Sequence, residues 1–83
     1  MVYKLIVPIQ KVNGEKIETV SVKESFTGRD IKDIGNAGGE GSAMIALVVK
    51  ATGLGENSVL NMDARDVRAI GAMAKPFLAD GEA

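Results

Sequence analysis

The fold is decided by the stretch from Ala43 to Leu78, which reads AMIALVVKATGLGENSVLNMDARDVRAIGAMAKPFL. It contains two apolar helical patterns, separated by turn signals at residues 51–55 and 61–63. Its apolar content exceeds what a small core requires, because a domain of this size buries only about 60% of its unfolded surface. It also carries no group suited to catalysis. We therefore expect a protein that acts by contact with a partner.

Composition indicates one small globular domain over residues 1–83. Hydrophobic residues make up 46% of the chain, charged residues make up 25%, and the formal net charge is −1. Cysteine and histidine are both absent, which excludes disulfides, zinc sites with Cys or His ligands, and nucleophiles activated by histidine. We expect no cofactor, no bound metal and no enzymatic activity.

Charge and hydropathy also restrict the classes of partner. Ten basic and eleven acidic residues form no basic run, whereas nucleic-acid binders usually present a basic face. The longest apolar run, from Ala43 to Val49, is far shorter than the roughly 20 residues of a membrane span. The N-terminus shows no signal-peptide pattern. We expect a soluble intracellular protein that binds neither nucleic acid nor membrane.

Residues 2–22 predict a β-hairpin, because apolar and polar residues alternate in both arms. Asn13-Gly14 between the arms predicts a type I′ turn, in which both central residues have positive φ. Pro8 cannot donate a hydrogen bond, so we expect it at a free edge or at the end of the first arm. A two-stranded ribbon is marginal in water, so this one should pack on helices or on another copy.

The remainder of the chain predicts three to four packed helices and hence an α+β fold. Thr27 and Asp30 form a capping-box pattern that starts a short helix over residues 27–35. Residues 36–41 are rich in glycine and are expected to form a mobile loop. The helical region is then expected to cover residues 42–78.

Capping signals divide this helical region. Ser42 is the expected N-cap of a helix over residues 43–52, which ends in a Schellman motif with Gly53 in the left-handed conformation. A short helical turn follows over residues 56–60. The last helix starts at an Asp63/Asp66 capping pattern and reaches about Lys75, where Pro76 terminates or kinks it. Residues 79–83 are expected to be frayed.

The motifs that could support chemistry have simpler structural interpretations. Residues 38–42 are glycine-rich as in a phosphate loop, but they lack the Lys followed by Ser or Thr. The acidic pairs, Asp30 with Asp33 and Asp63 with Asp66, could supply acid–base groups or metal ligands. Both pairs lie at predicted helix N-termini, which favour negative charge, so we interpret them as capping and solvated residues.

The methionines are the remaining unusual feature, because thioethers adapt to varied partner surfaces. We interpret Met62 as a core residue. For Met44 and Met73, core packing and partner contact both stay open. Their helices have more apolar surface than one small core needs.

Taken in order, these elements resemble the small tail assembly chaperones of contractile-tailed and Mu-like bacteriophages. Members have a hairpin and then a Pro-Thr-x-x-Asp-Leu-like helix start, here residues 26–31, with Phe26 replacing proline. An apolar helix ending in Leu-Thr-Gly-Leu follows, matched here by residues 47–54, which read LVVKATGL. The family pattern closes with an Asp-x-x-Asp helix start and Phe-Leu, matched at residues 63–66 and 77–78. Gly55 departs from it, because members often have a Ser or Thr cap there.

The resemblance implies a non-catalytic phage or prophage protein in the cytoplasm of the bacterial host that is absent from the finished virion. It implies a partner, the tape measure protein, which is a long and largely helical chain that sets tail length. The chaperone would keep this client soluble until tube protein polymerises around it. The candidate contact residues lie on the apolar helix faces: Met44, Leu47, Val48, Met73, Phe77 and Leu78.

Two other functions stay open. The chain could be a small structural tail or baseplate component that oligomerises through the hairpin edge and remains in the particle. A small DNA-binding domain would need a basic recognition helix, which Arg65 and Arg68 alone hardly provide. Self-association is a separate expectation, based on the small core and the unpaired hairpin edge.

Overall fold

The structure, a computed structural model, describes residues 1–11 and 13–79. Two antiparallel strands, β1 (Val2–Gln10) and β2 (Lys16–Ser21), form the predicted hairpin. The helices that follow are α1 (Gly28–Gly35), α2 (Glu40–Thr52), α3 (Glu56–Leu60), α4 (Ala64–Ala74) and α5 (Pro76–Ala79). The predicted α+β fold, a hairpin followed by packed helices, is confirmed.

Strand β1 separates from β2 in its middle. Lys4 pairs with Thr19, but the next pair joins Ile9 to Ile17, so residues 5–8 lie opposite one residue of β2. Such a bulge leaves backbone groups of the longer strand without ladder partners. Pro8 lies inside this bulge and not at the end of the strand, and its missing N–H costs no ladder bond there.

The hairpin turn differs from the predicted type I′ turn. Gly14 has a φ of +88°, but Asn13 does not adopt positive φ, as that turn would require. The Gly14 N–H instead donates to the Lys11 carbonyl at 2.9 Å, and the Lys11 N–H donates to the Glu15 carbonyl at 2.8 Å. The Asn13 side-chain oxygen accepts from the Glu15 N–H at 2.9 Å. Asn13 therefore stabilises the turn through its side chain.

Helix α1 begins with the predicted capping box. The Asp30 N–H donates to Thr27 Oγ1 at 3.3 Å, and the Thr27 N–H donates to Asp30 Oδ2 at 3.0 Å. The helix ends at Gly35, as predicted. Two of the N–H groups at this helix start are thus satisfied by the two residues that the pattern indicates.

The predicted start of helix α2 is wrong. The helix begins at Glu40 and its N-cap is Gly39, so Ser42 lies inside the first turn. Gly39 has a φ of +142°, which glycine adopts far more readily than residues with a Cβ, and its carbonyl accepts from the Ala43 N–H at 2.8 Å. Glu40 is favourable next to the positive end of the helix dipole. The glycine-rich connection therefore shortens to residues 36–39.

Helix α2 ends at a left-handed glycine, as predicted, but the cap is not the full Schellman motif. Gly53 has φ +74° and its N–H donates to the Val49 carbonyl at 2.9 Å, which is the single bond of the αL motif. The Leu54 N–H donates to Thr52 Oγ1 at 3.3 Å, and that hydroxyl donates to the Val48 carbonyl at 2.7 Å. The Thr52 hydroxyl thus replaces the second backbone bond.

Helix α4 begins and ends close to where the sequence predicts the last helix. Asp63 is the N-cap of α4 and accepts from the Arg65 N–H at 2.8 Å. Helix α4 ends at Ala74, and Pro76 is the first residue of the short helix α5, a position that tolerates proline because its N–H is not needed. Of the predicted frayed tail, residues 80–83 lie outside the described residues.

Helix α2 is the centre of the packing, because α1, α3, α4 and strand β2 all contact it. Helix α4 joins it to the hairpin through contacts with β1. Met62 is buried, which confirms its interpretation as a core residue. The buried apolar residues are Leu5, Ile9, Val20, Val22, Leu47, Val48, Ala51, Val59, Met62, Val67, Ile70 and Ala74.

Candidate partner-binding surface

The six predicted contact residues are divided between core and surface. Both Leu47 and Val48 lie in the core: Val48 is fully buried, and Leu47 is only 8% exposed, so it contributes little accessible surface. The reason is that α2 is covered on several sides, and its positions 47, 48 and 51 face the core. The prediction that the side chains of Leu47 and Val48 form an exposed contact surface is therefore wrong.

The other four predicted residues remain accessible to different extents. Met44 and Phe77 are 36% and 39% exposed, which is high for large apolar side chains. Met73 and Leu78 are half-buried and pack against the core. Met44 lies on α2, whereas the other three lie on α4 and α5.

A groove with a volume of about 540 Å³ lies where α2 and α4 pack together. Met44 and Leu47 line it from α2, and Gly71 and Ala72 line it from α4. A Cβ added at Gly71 would lie 3.8 Å from Met44 Cγ and 4.0 Å from Leu47 Cδ2. The two α2 side chains therefore reach the α4 backbone and form the apolar floor, and Ile34 of α1 lines the same groove.

Charged residues border this groove. Arg68 and Lys75 line it from α4, and Glu40 lines it from the first turn of α2. Arg68 and Lys75 are two helical turns apart, which is about 10.5 Å along the axis. None of these three residues forms an ion pair with another described residue. The groove thus combines an apolar floor with charges that have no partner among the described residues.

A second groove of about 320 Å³ adjoins another face of α2. Ile45 and Val49 line it from α2, and Leu60 of α3 lines it with 56% of its surface exposed. Sequence reasoning missed these residues as contact candidates. The signal was present, because the α2 sequence is apolar almost all round, but periodicity alone could not separate its covered faces from its open ones.

Asp66 is not the solvated capping residue that the sequence predicts. Its side chain is fully buried at the seam between α4 and β1. Its Oδ1 accepts from the Tyr3 hydroxyl at 2.7 Å and from the Ile6 N–H at 2.9 Å, and its Oδ2 accepts from the Val7 N–H at 3.1 Å. These two backbone donors belong to the bulge, so the carboxylate takes the place of the missing strand partner.

Burial alone would raise the pKa of the Asp66 carboxyl, but the hydrogen bonds from Ile6, Tyr3 and Val7 outweigh it and lower that pKa below its usual value. The same contact raises the pKa of the Tyr3 hydroxyl, because that hydroxyl donates to the carboxylate. The Asp66 carboxylate thus links α4 to the bulge of β1 through three hydrogen bonds within the chain.

A network of charges attaches α1 to α2. Lys23 Nζ lies 3.0 Å from Asp30 Oδ2, while Lys50 Nζ lies 3.9 Å from Asp30 Oδ1 and 2.7 Å from Asp33 Oδ2. The Thr27 N–H and then Lys23 lower the pKa of Asp30, and the bond to Asp33 raises the pKa of Lys50. The Asp30/Asp33 pair therefore combines capping with ion pairing between elements.

The described residues contain no group of three or more acidic, His or Cys side chains arranged to hold a metal ion. None of the helices in this part of the chain combines the length and the apolar character that crossing a membrane requires. The apolar grooves beside α2 are therefore the candidate sites for contact with a partner.

Comparison with known proteins agrees with this contact-based interpretation. Residues 2–79 match the model of the family described as "Phage tail assembly chaperone proteins, E, or 41 or 14". Neither a curated protein nor a solved structure matches the chain. The family match covers nearly the whole sequence, including the hairpin, the bulge and the helices of the described residues. The chain therefore belongs to the family of phage tail assembly chaperone proteins.

Proposed function

We propose that this protein is a non-catalytic chaperone that binds the tape measure protein of its phage. It keeps this client soluble in the cytoplasm of the bacterial host until tube protein assembles around it. Family membership supports the role in tail assembly. The observation that carries the choice of client is the open groove between α2 and α4, because an apolar groove of this kind binds one face of an amphipathic helix.

Two exposed apolar side chains, Met44 and Phe77, suit a client with many similar segments. Met44 lies in the groove and is partly exposed, and its unbranched thioether can follow different apolar shapes. Phe77 adds an exposed aromatic side chain beyond the end of α4. A long helical client presents several apolar faces before assembly, so an adaptable surface can bind more than one of them.

Co-expression with the tape measure protein from the same genome tests this proposal. We expect the chaperone to raise the soluble fraction of the client, and Met44→Asp or Phe77→Asp to remove most of that gain. Val2→Asp is a matched control, because Val2 is 71% exposed but lies on β1 and not on α2 or α5. If both test variants stay folded by circular dichroism and keep the client soluble, the proposed surface is wrong.

The alternative, a structural tail or baseplate component, makes a different prediction about the particle. Pairing through the outer edge of the bulge in β1 is disfavoured, since the Ile6 and Val7 N–H groups already donate to Asp66. Mass spectrometry of purified virions separates the two functions. A chaperone should be missing from the particle, and its presence in stoichiometric amounts would favour the structural alternative.

A further inference from the structure

We propose that the groove between α2 and α4 selects client helices by charge, binding one amphipathic helix whose acidic residues face α4. This inference rests on the proposed function and specifies the ligand of the same site. The client helix would present large apolar side chains to the groove floor. Two carboxylates about two turns apart would lie against Arg68 and Lys75, and a basic residue would lie near Glu40.

The dimensions of the groove favour side chains from one helix face and not a whole buried helix. Its volume of about 540 Å³ lies within the range of pockets that hold a ligand of drug size, roughly 300–1,000 Å³. Small residues on both walls, Ala43 on α2 and Ala72 on α4, allow an incoming backbone to approach closely. Met44 can adjust to the side chain that enters.

The charges on the rim determine which helix suits the groove. Arg68 and Lys75 are seven residues apart on α4, so both lie on nearly the same face of the helix. If a client helix runs along α4, two acidic residues that are seven positions apart on it have the same spacing as Arg68 and Lys75. The net charge of the chain is −1, so its overall charge does not attract acidic partners.

Five basic residues form no ion pair with another described residue: Lys4, Arg29, Lys32, Arg68 and Lys75. Of these five, Arg68 and Lys75 line the groove. Lys23 and Lys50 are engaged with Asp30 and Asp33 inside the chain, and Arg65 is paired with Asp63 at 3.0 Å. Arg68 and Lys75 border an apolar surface without such partners among the described residues. Charges placed around a binding surface steer the partner and fix its orientation, and they reject partners of like charge.

Two synthetic helical peptides with the same leucine face test the selection. One carries Glu and the other Lys at two flanking positions seven residues apart, and each carries one tryptophan, because the chain has none. We expect the acidic peptide to bind about tenfold more tightly in a fluorescence titration at low salt, and the difference to shrink as salt is added. Binding of neither peptide, or equal binding of both, would overturn the inference.

Reversing the charges at the rim tests whether the difference in affinity between the two peptides arises at this groove. The double variant Arg68→Glu/Lys75→Glu should invert the preference between the two peptides. The control Lys4→Glu/Lys32→Glu changes the net charge equally but alters residues that do not line the groove, so it should keep the wild-type order of affinities. An equal effect of both double variants would show a non-specific attraction and contradict the proposed site.

The tape measure protein itself separates failure of this inference from failure of the proposed function. If the wild-type chain does not co-purify with the client, the proposed function fails. If the wild-type chain co-purifies and Arg68→Glu/Lys75→Glu does so equally well, the client is correct but the charge selection is not. We expect the wild-type chain to retain the client and the double variant to lose most of it.

Discussion

The two sides of α4 are built in opposite ways. On one side, Asp66 is fully buried and accepts hydrogen bonds from Tyr3, Ile6 and Val7 of the hairpin. On the other side, Arg68 and Lys75 border an open apolar groove and have no ion-pair partner among the described residues. Asp66 and Arg68 are two positions apart, which turns them about 200° around the helix axis.

This contrast separates a seam whose carboxylate is hydrogen-bonded within the chain from a groove whose exposed side chains can contact a partner. At the hairpin seam, every hydrogen bond of the carboxylate is made inside the chain, and substitutions there should act on stability. At the groove, the side chains of Met44, Arg68 and Lys75 are exposed, and substitutions of these three residues should act on binding. The following predictions test this division, from the largest expected effect to the smallest.

Asp66→Ala should cause the largest loss of stability. Three donors would lose a buried charged acceptor, and each unsatisfied donor costs about 1–3 kcal/mol, so we expect a loss of about 3 kcal/mol or more. Urea unfolding followed by circular dichroism measures it. Asp66→Asn keeps the size but removes the charge, so it should give a smaller loss. A loss below about 1 kcal/mol for the alanine variant would contradict the role of the seam.

Leu47→Ala and Met44→Ala distinguish the covered part of the groove floor from its open part. Leu47 is buried, so its truncation should cost about 2–3 kcal/mol, at the lower end of the range for core leucines. Met44 is partly exposed and should cost about 1 kcal/mol or less. Chemical denaturation of both variants gives the comparison. Equal losses would show that Met44 belongs to the core and not to a contact surface.

Stability should fall at acid pH, and the seam should contribute to this acid limb through Asp66. The folded pKa of Asp66 lies below its ordinary value, so its contribution is present above about pH 4 and is lost as pH falls through the folded pKa. The folded pKa of Tyr3 is raised, so its contribution is present below about pH 10 and is lost as pH rises through the folded pKa.

The free energy of unfolding, measured as a function of pH, tests both the loss of stability in acid and the loss of stability in alkali. Asp66→Asn should flatten the acid limb, and Tyr3→Phe should weaken the alkaline one. Asp30 and Asp63 also have lowered pKa values, so a residual acid limb should remain in Asp66→Asn. An unchanged acid limb in that variant would assign the effect to these other carboxylates.

Gly71→Ala should have the smallest effect on stability, and unlike the substitutions above it should stabilise the protein. The position is helical and the new methyl group would lie 3.8 Å from Met44 Cγ, an ordinary contact. Replacing glycine within a helix by alanine gains about 0.5–1 kcal/mol. Gly53→Ala is the matched comparison, since φ of +74° should make the same change unfavourable by about 1–2 kcal/mol. Thermal unfolding of the two variants measures both signs.

Local sequence signals predicted the elements of the fold well. The capping box at Thr27 and Asp30, the left-handed Gly53 and the Asp63 cap each depend on residues within a few positions, so the sequence contains the whole interaction. The start of α2 was missed because Gly39 and Ser42 both suit an N-cap. The backbone conformation at Gly39 decides between them.

The two sides of α4 could not be predicted because they depend on long-range contacts. Asp66 bonds to residues about 60 positions away, and nothing in the Asp-x-x-Asp spacing indicates a bulge in β1. The groove was predicted only in part. The apolar surplus of α2 pointed to a contact surface, but which of its apolar residues α4 covers depends on how the helices cross.

The most direct test follows backbone amide resonances during a titration with a soluble helical segment of the tape measure protein. If the client binds the open side of α4, the amides of Met44, Arg68, Gly71 and Lys75 should shift. The amides of Ile6 and Val7 should stay in place and remain protected from hydrogen exchange, since their bonds to Asp66 persist. Shifts confined to the hairpin, with an unperturbed groove, would contradict the account.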